Sequence, residues 1–207
     1  MNGAFRPDHW LAVLAVNRNS GEILQRVSTA RSIASPEYQR WLRYLNATGS
    51  DVYVSLNTFK EHARGRTKED SKEIRHLYLD LDDGGARKLE AIRQDKAVPT
   101  PNYVLNTSPG KFQVIWRVEG IDQEHAEAVL RTLAQRFGGD PAATDSTRVF
   151  RLPGFNNKKY PDDFQVTVIR ESPAARTCAR YSKIKPTAVS QTATTAALLD
   201  RRGQWQK

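Results

Sequence analysis

The first 60 positions alternate between strand-like apolar runs and one helical stretch. The run His9 to Asn17 is almost wholly apolar and predicts a buried strand, and Glu22 to Val27 predicts a second strand after a turn containing asparagine and glycine. Ser35 is placed to cap a helix that Pro36 begins, because serine accepts hydrogen bonds from free N–H groups and proline suits the first helical position. A third strand is predicted over Asp51 to Leu56.

Downstream, the same patterns predict a polar segment, two helices and five strands. The polar segment Phe59 to Arg75 is predicted to be a surface loop or a mobile arm. The helices are predicted over Ala86 to Lys96 and Gln123 to Phe137, and the strands over Arg75 to Leu81, Asn102 to Thr107, Phe112 to Val118, Arg148 to Leu152 and Phe164 to Ile169. Because hairpins replace a strict βαβ alternation, the predicted fold class is α+β with a largely antiparallel sheet.

The composition changes near Ser172, where large apolar residues become sparse and Ser, Thr, Ala, Arg and Lys dominate. Such a segment buries too little apolar surface to offset the entropy of ordering. The sequence therefore predicts one domain over residues 1–171, and a basic tail or linker over 172–207 with a short helix near 196–202.

The 207 residues include 32 Lys and Arg against 23 Asp and Glu, for a net charge of +9. A basic balance favours polyanionic partners such as nucleic acid or nucleotides, although a solvated lysine-rich surface gives the same charge. A single cysteine excludes an internal disulfide framework and a cysteine-based zinc site, and is typical of a reducing cytoplasm. No apolar run predicts a membrane span or a signal peptide.

An acidic pair ends the strand predicted before position 82. Side chains two residues apart on a strand point to the same face, so Asp80 and Asp82 are expected side by side while Leu81 enters the core. Two repelling carboxylates favour a bound cation, and hard oxygen ligands favour Mg²⁺ or Mn²⁺. The alternative is a strand that simply ends in an acidic, glycine-containing turn.

Three further segments carry candidate chemistry. Asp145 lies in a loop of small residues before a strand and could complete a three-carboxylate site, or could only stabilise a turn. In the predicted hairpin, Ser108, Lys111 and Gln113 could hold a triphosphate, or could form an ordinary solvated outer face. The segment Arg148 to Lys159 mixes basic, amide and aromatic side chains, as expected of a nucleic-acid contact or of a charged edge strand.

The order of these segments resembles the archaeo-eukaryotic primase superfamily, and in particular the RepB-type primases of plasmids and mobile elements, from about Leu11 to Glu171. The pattern comprises an acidic pair on a strand, a Ser/Lys hairpin, a third Asp with an Arg, and a Pro-Gly-Phe turn. The residues that carry it are Trp41 and Leu45 followed by Gly49 to Val54, Thr107 to Pro109 with Gln113 and Trp116, Asp140 to Ala142, Asp145 to Ser146, Arg151 to Leu152, Gly154 to Phe155, and Asn157. The superfamily's Ser-x-His motif has no histidine counterpart after Ser108.

The resemblance implies an RRM-like palm joined to a second small α/β layer, and template-directed nucleotidyl transfer on single-stranded DNA with two divalent ions, Mg²⁺ or Mn²⁺. The implied roles are metal binding and catalysis for Asp80, Asp82 and Asp145, and nucleotide binding for Ser108, Lys111, Gln113 and Arg148. The composition of the segment Arg148 to Lys159 predicts template binding by Arg151, Asn156, Lys158 and Lys159. The implied partners are nucleoside triphosphates, a single-stranded template and a replicative helicase. A non-catalytic single-strand-binding module and a two-metal nuclease remain alternatives.

Overall fold

The computed structural model describes residues 5–160, 162–171 and 176–177. Within them lie 13 strands and four helices, arranged as two principal sheets with helices packed on each. The predicted tail helix near 196–202 lies outside the described residues. Of the predicted tail, Arg176–Thr177 is described, and it pairs in parallel with the end of a strand of the second sheet.

The first sheet is antiparallel, and its strands come from both ends of the chain. They are β1 (Trp10–Asn17), β2 (Ile23–Thr29), β3 (Ser50–Ser55), β4 (Thr58–Phe59), β5 (Ser71–Glu73) and β9 (Val149–Arg151). The order is β5-β4-β1-β3-β9, and β2 also pairs with β1. Because β9 pairs with β3 across about a hundred positions of sequence, the first sheet is completed only by a long-range contact.

The second sheet forms the predicted palm. Its strands are β6 (His76–Leu81), β7 (Tyr103–Ser108), β8 (Lys111–Glu119), β12 (Thr167–Glu171) and β13 (Arg176–Thr177). β8 lies centrally, antiparallel to both β6 and β7, and β12 extends the sheet beyond β7. A separate pair, β10 (Asn156–Asn157) and β11 (Phe164–Gln165), lies in the segment between β9 and β12.

The four helices are α1 (Ala30–Ile33), α2 (Pro36–Ala47), α3 (Gly85–Gln94) and α4 (Gln123–Phe137). Ser35 caps α2 by accepting from the Tyr38 amide, with Pro36 at the first position as predicted. α2 packs on β3, whereas α3 and α4 pack on the second sheet. The bounds of α4 match the prediction residue for residue.

Two apolar clusters stabilise these layers. The larger includes Trp116, Tyr78 and Leu130 between the second sheet and its helices, and the smaller includes Leu42 and Val54 between α2 and the first sheet. No described helix has the length and apolar composition that a bilayer crossing requires.

The polar segment Phe59 to Arg75 is a surface loop over residues 60–70, as predicted, but its two ends form strands, which corrects the predicted extent of the loop. It begins in β4, where Phe59 is 1% exposed, and ends in β5. Between them, Lys68 pairs with Glu127 of α4 at 2.8 Å. Strands of two and three residues are too short to show a periodic pattern, so the polar composition of the segment concealed them.

Candidate active site

A polar cavity of about 360 Å³ opens between the first and second sheets. Strands β3 and β9 supply one wall, and β6, β7 and β8 supply the facing wall. The lining residues are Arg18, Tyr53, Arg66, Asp80, Asp82, Thr107, Ser108, Lys111, Gln113, Arg148, Val149, Arg151, Asn157, Lys159 and Tyr160. The structure thus gathers six of the seven predicted metal- and nucleotide-site residues in the lining of one pocket, and Asp145 is the exception.

The acidic pair lies on the β6 wall as its spacing predicts. Leu81 is fully buried in the core, while Asp80 and Asp82 both line the cavity. Burial, followed by the negative charge of Asp82, raises the pKa of the Asp80 carboxyl to about 6. Ionisation of the Asp80 carboxyl beside Asp82 is therefore energetically unfavourable in this pocket.

The oxygen chemistry of this wall suits a divalent cation. Gln113 lies beside the pair, with its Nε2 3.5 Å from an Asp80 oxygen. Its Oε1 is buried and has no hydrogen-bond partner among the described residues. Two carboxylates and an unpaired amide oxygen are the hard ligands that Mg²⁺ and Mn²⁺ prefer.

Asp145 is not brought into a three-carboxylate cluster with the acidic pair. Across the part of the chain that the structure describes, no three His, Cys, Asp or Glu side chains are grouped for metal binding. Asp145 Oδ1 instead accepts from the Thr147 amide at 3.0 Å and from the Thr147 hydroxyl at 2.7 Å. Its metal role remains a prediction.

Arg148 connects this loop to the pocket. Its guanidinium lies 3.7 Å from an Asp140 oxygen and 3.8 Å from an Asp145 oxygen, both at ion-pair range. The Asp140 amide donates to the Asp80 carbonyl at 3.1 Å, so this loop is bonded to the strand that carries the acidic pair. Arg148 is therefore positioned to neutralise charge near the acidic pair.

The β7–β8 hairpin places a lysine opposite the acids. Gly110 has φ +71°, as the second central residue of a type II turn requires. Lys111 Nζ lies 3.1 Å from Asp82 Oδ1, and that hydrogen bond raises the pKa of Lys111. Ser108 and the adjoining Tyr160 line the same end of the cavity, where hydrogen bonding to Ser108 lowers the Tyr160 pKa.

The facing wall, from the first sheet, centres on a buried carboxylate. Asp51 is 0% exposed and binds both terminal nitrogens of Arg151, one of them at 3.1 Å. Arg18 Nε donates to the same carboxylate at 2.6 Å, and the Tyr53 hydroxyl lies 3.3 Å from it. Arg151 thus lines the cavity with its charge partly neutralised from behind.

The four predicted template-binding residues separate into two pairs. Arg151 and Lys159 line the cavity. Asn156 and Lys158 do not line it, and their side chains bind Asp163 at 2.9 Å and 2.7 Å respectively. Template binding by Asn156 and Lys158 would require contacts outside the pocket.

The sequence did not predict four residues that line the cavity: Arg18, Tyr53, Arg66 and Tyr160. Arg66 reaches the cavity from the ordered polar segment, where its Nη1 lies 3.4 Å from the Thr147 carbonyl. No local spacing connects these residues to the acidic pair. The basic character of the polar segment was the one available signal for Arg66.

The chain is similar to a known protein family and to several individual proteins. The family model of the RepB DNA-primase N-terminal domain matches residues 19–191. The chain is 28% identical over 158 residues to a replication protein of Clostridium perfringens, and 30% identical over 141 residues to mobilization protein A of Escherichia coli. These matches cover 69% and 68% of this chain, but the chain spans only 38% and 17% of those relatives.

Two solved structures share the fold. The catalytic domain of primase RepB′ in complex with initiator DNA matches with a TM-score of 0.65 and 23% identity, over 95% of this chain and 92% of that one. The archaeo-eukaryotic primase domain of the cyanophage S-2L primase-polymerase matches with a TM-score of 0.67 and 14% identity, over 86% and 90%. These likenesses confirm the predicted α+β fold of the archaeo-eukaryotic primases.

Proposed function

The chain belongs to the family of RepB DNA-primase N-terminal domains, and on that premise we propose that its pocket performs template-directed nucleotidyl transfer on single-stranded DNA. One observation carries the proposal. A single cavity brings the acidic pair of β6 together with Ser108 and Lys111 of the β7–β8 hairpin and with Arg148. That combination suits a reaction between a nucleoside triphosphate and a strand end.

In the proposed reaction, the 3′ hydroxyl of the growing strand loses its proton to water, and its oxygen forms a bond to the α-phosphorus of the triphosphate. The bond from that phosphorus to the oxygen leading to the β-phosphate breaks, and pyrophosphate leaves. Divalent ions, when bound, supply positive charge that activates the hydroxyl and stabilises the departing oxygens. Asp80 and Asp82 would hold them, with the Gln113 oxygen as a further ligand, and Asp145 is proposed as the third carboxylate.

The chain's own cations would bind and orient the triphosphate. Lys111 now neutralises Asp82, and Arg148 lies between two aspartates. When a cation satisfies the acidic pair, the Lys111 ammonium is free to turn toward phosphate oxygens. A charge-assisted contact of this kind holds the triphosphate against the acidic wall.

The template is proposed to follow the basic residues of the facing wall and of the pocket rim. Arg151 and Lys159 line the cavity on that side. The complex of the structurally similar RepB′ domain with initiator DNA is consistent with such a role for this fold. We also propose participation in plasmid or mobile-element replication, alongside a replicative helicase; the replication and mobilization proteins among the relatives support the first of these.

The test is a synthesis assay with single-stranded DNA, labelled triphosphates and Mg²⁺ or Mn²⁺. We expect lengthened products from the wild-type protein and none from Asp82→Ala. The Asp82 side chain is 54% exposed, so its removal should leave the fold intact. Asp83→Ala, next along the chain but outside the cavity lining, is the matched control and should retain synthesis.

Two results would contradict the proposal. Shortened strands without triphosphate would identify a nuclease. Normal synthesis by Asp82→Ala would place the active site elsewhere.

A further inference from the structure

The wall opposite the acidic pair is built around Asp51, and we call Arg18, Tyr53 and Arg151 together with it the basic wall. The Asp51 carboxylate accepts from Arg151, from Arg18, from the Tyr53 hydroxyl and, at 2.8 Å, from the Lys158 amide. These donors come from four places in the chain: the β1–β2 turn, β3, β9 and the turn after β10. One buried carboxylate therefore fixes four elements at the cavity.

Asp51 cannot touch a ligand because it is fully buried. Burial alone would raise its pKa, but the hydrogen bonds and charge of Arg151 outweigh that effect, so the pKa is lowered and the carboxylate is ionised. One negative charge faces two guanidinium groups, which leaves the basic wall with a net positive charge. Any effect of Asp51 on a ligand must pass through these guanidinium groups.

Arg18 is the member of the basic wall that a ligand can reach most easily. Its side chain is 38% exposed, whereas that of Arg151 is 10% exposed. Nε and Nη2 are held by Asp51 and by the Tyr53 hydroxyl, the latter at 3.1 Å. Nη1 has no hydrogen-bond partner among the described residues, so a planar, preoriented donor stands at the pocket lining.

The charges of the cavity indicate which phosphate this donor meets. Six lining residues are cationic (Arg18, Arg66, Lys111, Arg148, Arg151, Lys159), and two are anionic (Asp80, Asp82). Lys111 and Arg148 lie beside the acids, where the triphosphate is proposed to bind. Arg18 lies on the opposite wall, so its surplus charge favours a second polyanion that is present at the same time.

We infer that Arg18 binds a backbone phosphate of the single-stranded template, and that Asp51 is a positioning residue that holds Arg18 and Arg151 in the orientation this contact requires. The inference rests on the proposed function, because it assumes that a strand enters the cavity. It adds a contact residue on the β1–β2 turn and a buried residue that acts only through its neighbours.

The first experiment measures binding of a labelled single-stranded oligonucleotide across a salt series, without catalysis. Arg18→Met should weaken binding about tenfold at low salt, as expected for one lost charge-assisted contact. The log–log salt dependence should become shallower by about 0.7, the change expected for one phosphate contact on a single strand. Affinity for a nucleoside triphosphate, measured separately, should stay within about twofold of wild type.

Arg40→Met is the matched control. It removes the same charge from α2, where the Arg40 side chain is 73% exposed. α2 packs against Val52 and Val54, which alternate along β3 with the cavity-facing Tyr53. The control should therefore retain both the affinity and the salt dependence of wild type.

Asp51→Asn tests the positioning role, because it adds positive charge to the pocket while releasing Arg18. If charge alone determined affinity, Asp51→Asn would bind the strand more tightly than wild type. Loss of orientation predicts binding weaker by about threefold or more, since an immobilised side chain must then be ordered on binding. Binding is measured below the unfolding temperature of this variant, and Arg18→Met keeps the contact testable if Asp51→Asn does not fold.

The outcomes distinguish failure of the Arg18 inference from failure of the proposed function. If the wild-type protein binds the strand and Arg18→Met binds it with the same affinity, the inference is overturned and the proposed function stands. Loss of triphosphate affinity without loss of strand affinity also overturns it. Tighter strand binding by folded Asp51→Asn removes the positioning role, and failure of the wild-type protein to bind any single strand overturns both.

Discussion

Replacement of Asp80 by Asn should stabilise the metal-free protein at neutral pH. An aspartate ordinarily titrates near 3.8, and in the native state the Asp80 pKa is raised to about 6 by burial and by Asp82. At about 1.4 kcal/mol per pH unit, the ionised native carboxylate costs roughly 3 kcal/mol relative to the unfolded chain. Asn removes this charge and keeps an amide oxygen that can accept from Gln113.

The sign of the effect fixes its pH dependence. Because the native state binds the Asp80 proton more tightly than the unfolded state, the cost is absent below about pH 4 and complete above about pH 6. The difference in unfolding free energy between Asp80→Asn and wild type should therefore grow across that interval, in favour of the variant. Taking the difference cancels the titration of other groups that the substitution leaves undisturbed.

The assay is urea unfolding in the presence of a chelator, at several pH values between 4 and 7.5. Asp83→Asn, at an exposed position outside the cavity lining, should stay within about 0.5 kcal/mol of wild type throughout. Mg²⁺ or Mn²⁺ at a thousand times its Kd should reverse the order, since a ligand at that concentration stabilises the wild type by about 4.1 kcal/mol. A destabilised Asp80→Asn at pH 7, or a difference that does not change with pH, would refute the reasoning.

Three further substitutions test the pocket and the packing beneath its hairpin. Lys111→Ala and Arg148→Ala should each weaken triphosphate binding by about ten- to a hundredfold, because each loses a charge-assisted contact, and should weaken strand binding less. Equilibrium binding of both ligands measures this difference. Unchanged triphosphate affinity in both variants would contradict the prediction. Gly85→Ala should destabilise the fold by about 1–3 kcal/mol, because a Cβ there would overlap the Gly110 carbonyl oxygen in the turn before Lys111. Chemical unfolding measures this second change, and an unaltered midpoint would show that α3 and the hairpin can move apart freely.

The sequence predicted the features that depend on residues close together in the chain. α4 was predicted to the residue because its apolar positions repeat with the helical period, Asp122 caps its start and Gly138 adopts φ +66° at its end. The acidic pair and the facing Lys111 followed from the period of two along single strands. These features depend only on neighbours in sequence.

The basic wall could not be predicted in the same way. Asp51 and Arg151 are 100 positions apart, and Arg66 reaches Thr147 across 81. The strand pattern placed Asp51 only at a strand's start, with no indication that guanidinium groups from a turn and from a distant strand would meet it. Asp145 was predicted either to bind metal or to stabilise a turn; its carboxylate accepts from Thr147 in the adjoining turn, and its metal role remains a prediction.

The pairing of β3 with β9 also determines when the pocket can form during protein synthesis. At about 5–20 residues per second, roughly 5–20 s separate the synthesis of Asp51 from that of Arg151. Until then the Asp51 carboxylate has no Arg151 to meet, and the first sheet lacks its last strand. A nascent chain halted before Val149 would carry the acidic wall without the completed basic wall. Assembly of the cavity is therefore a late event, completed only after most of the described chain has left the ribosome.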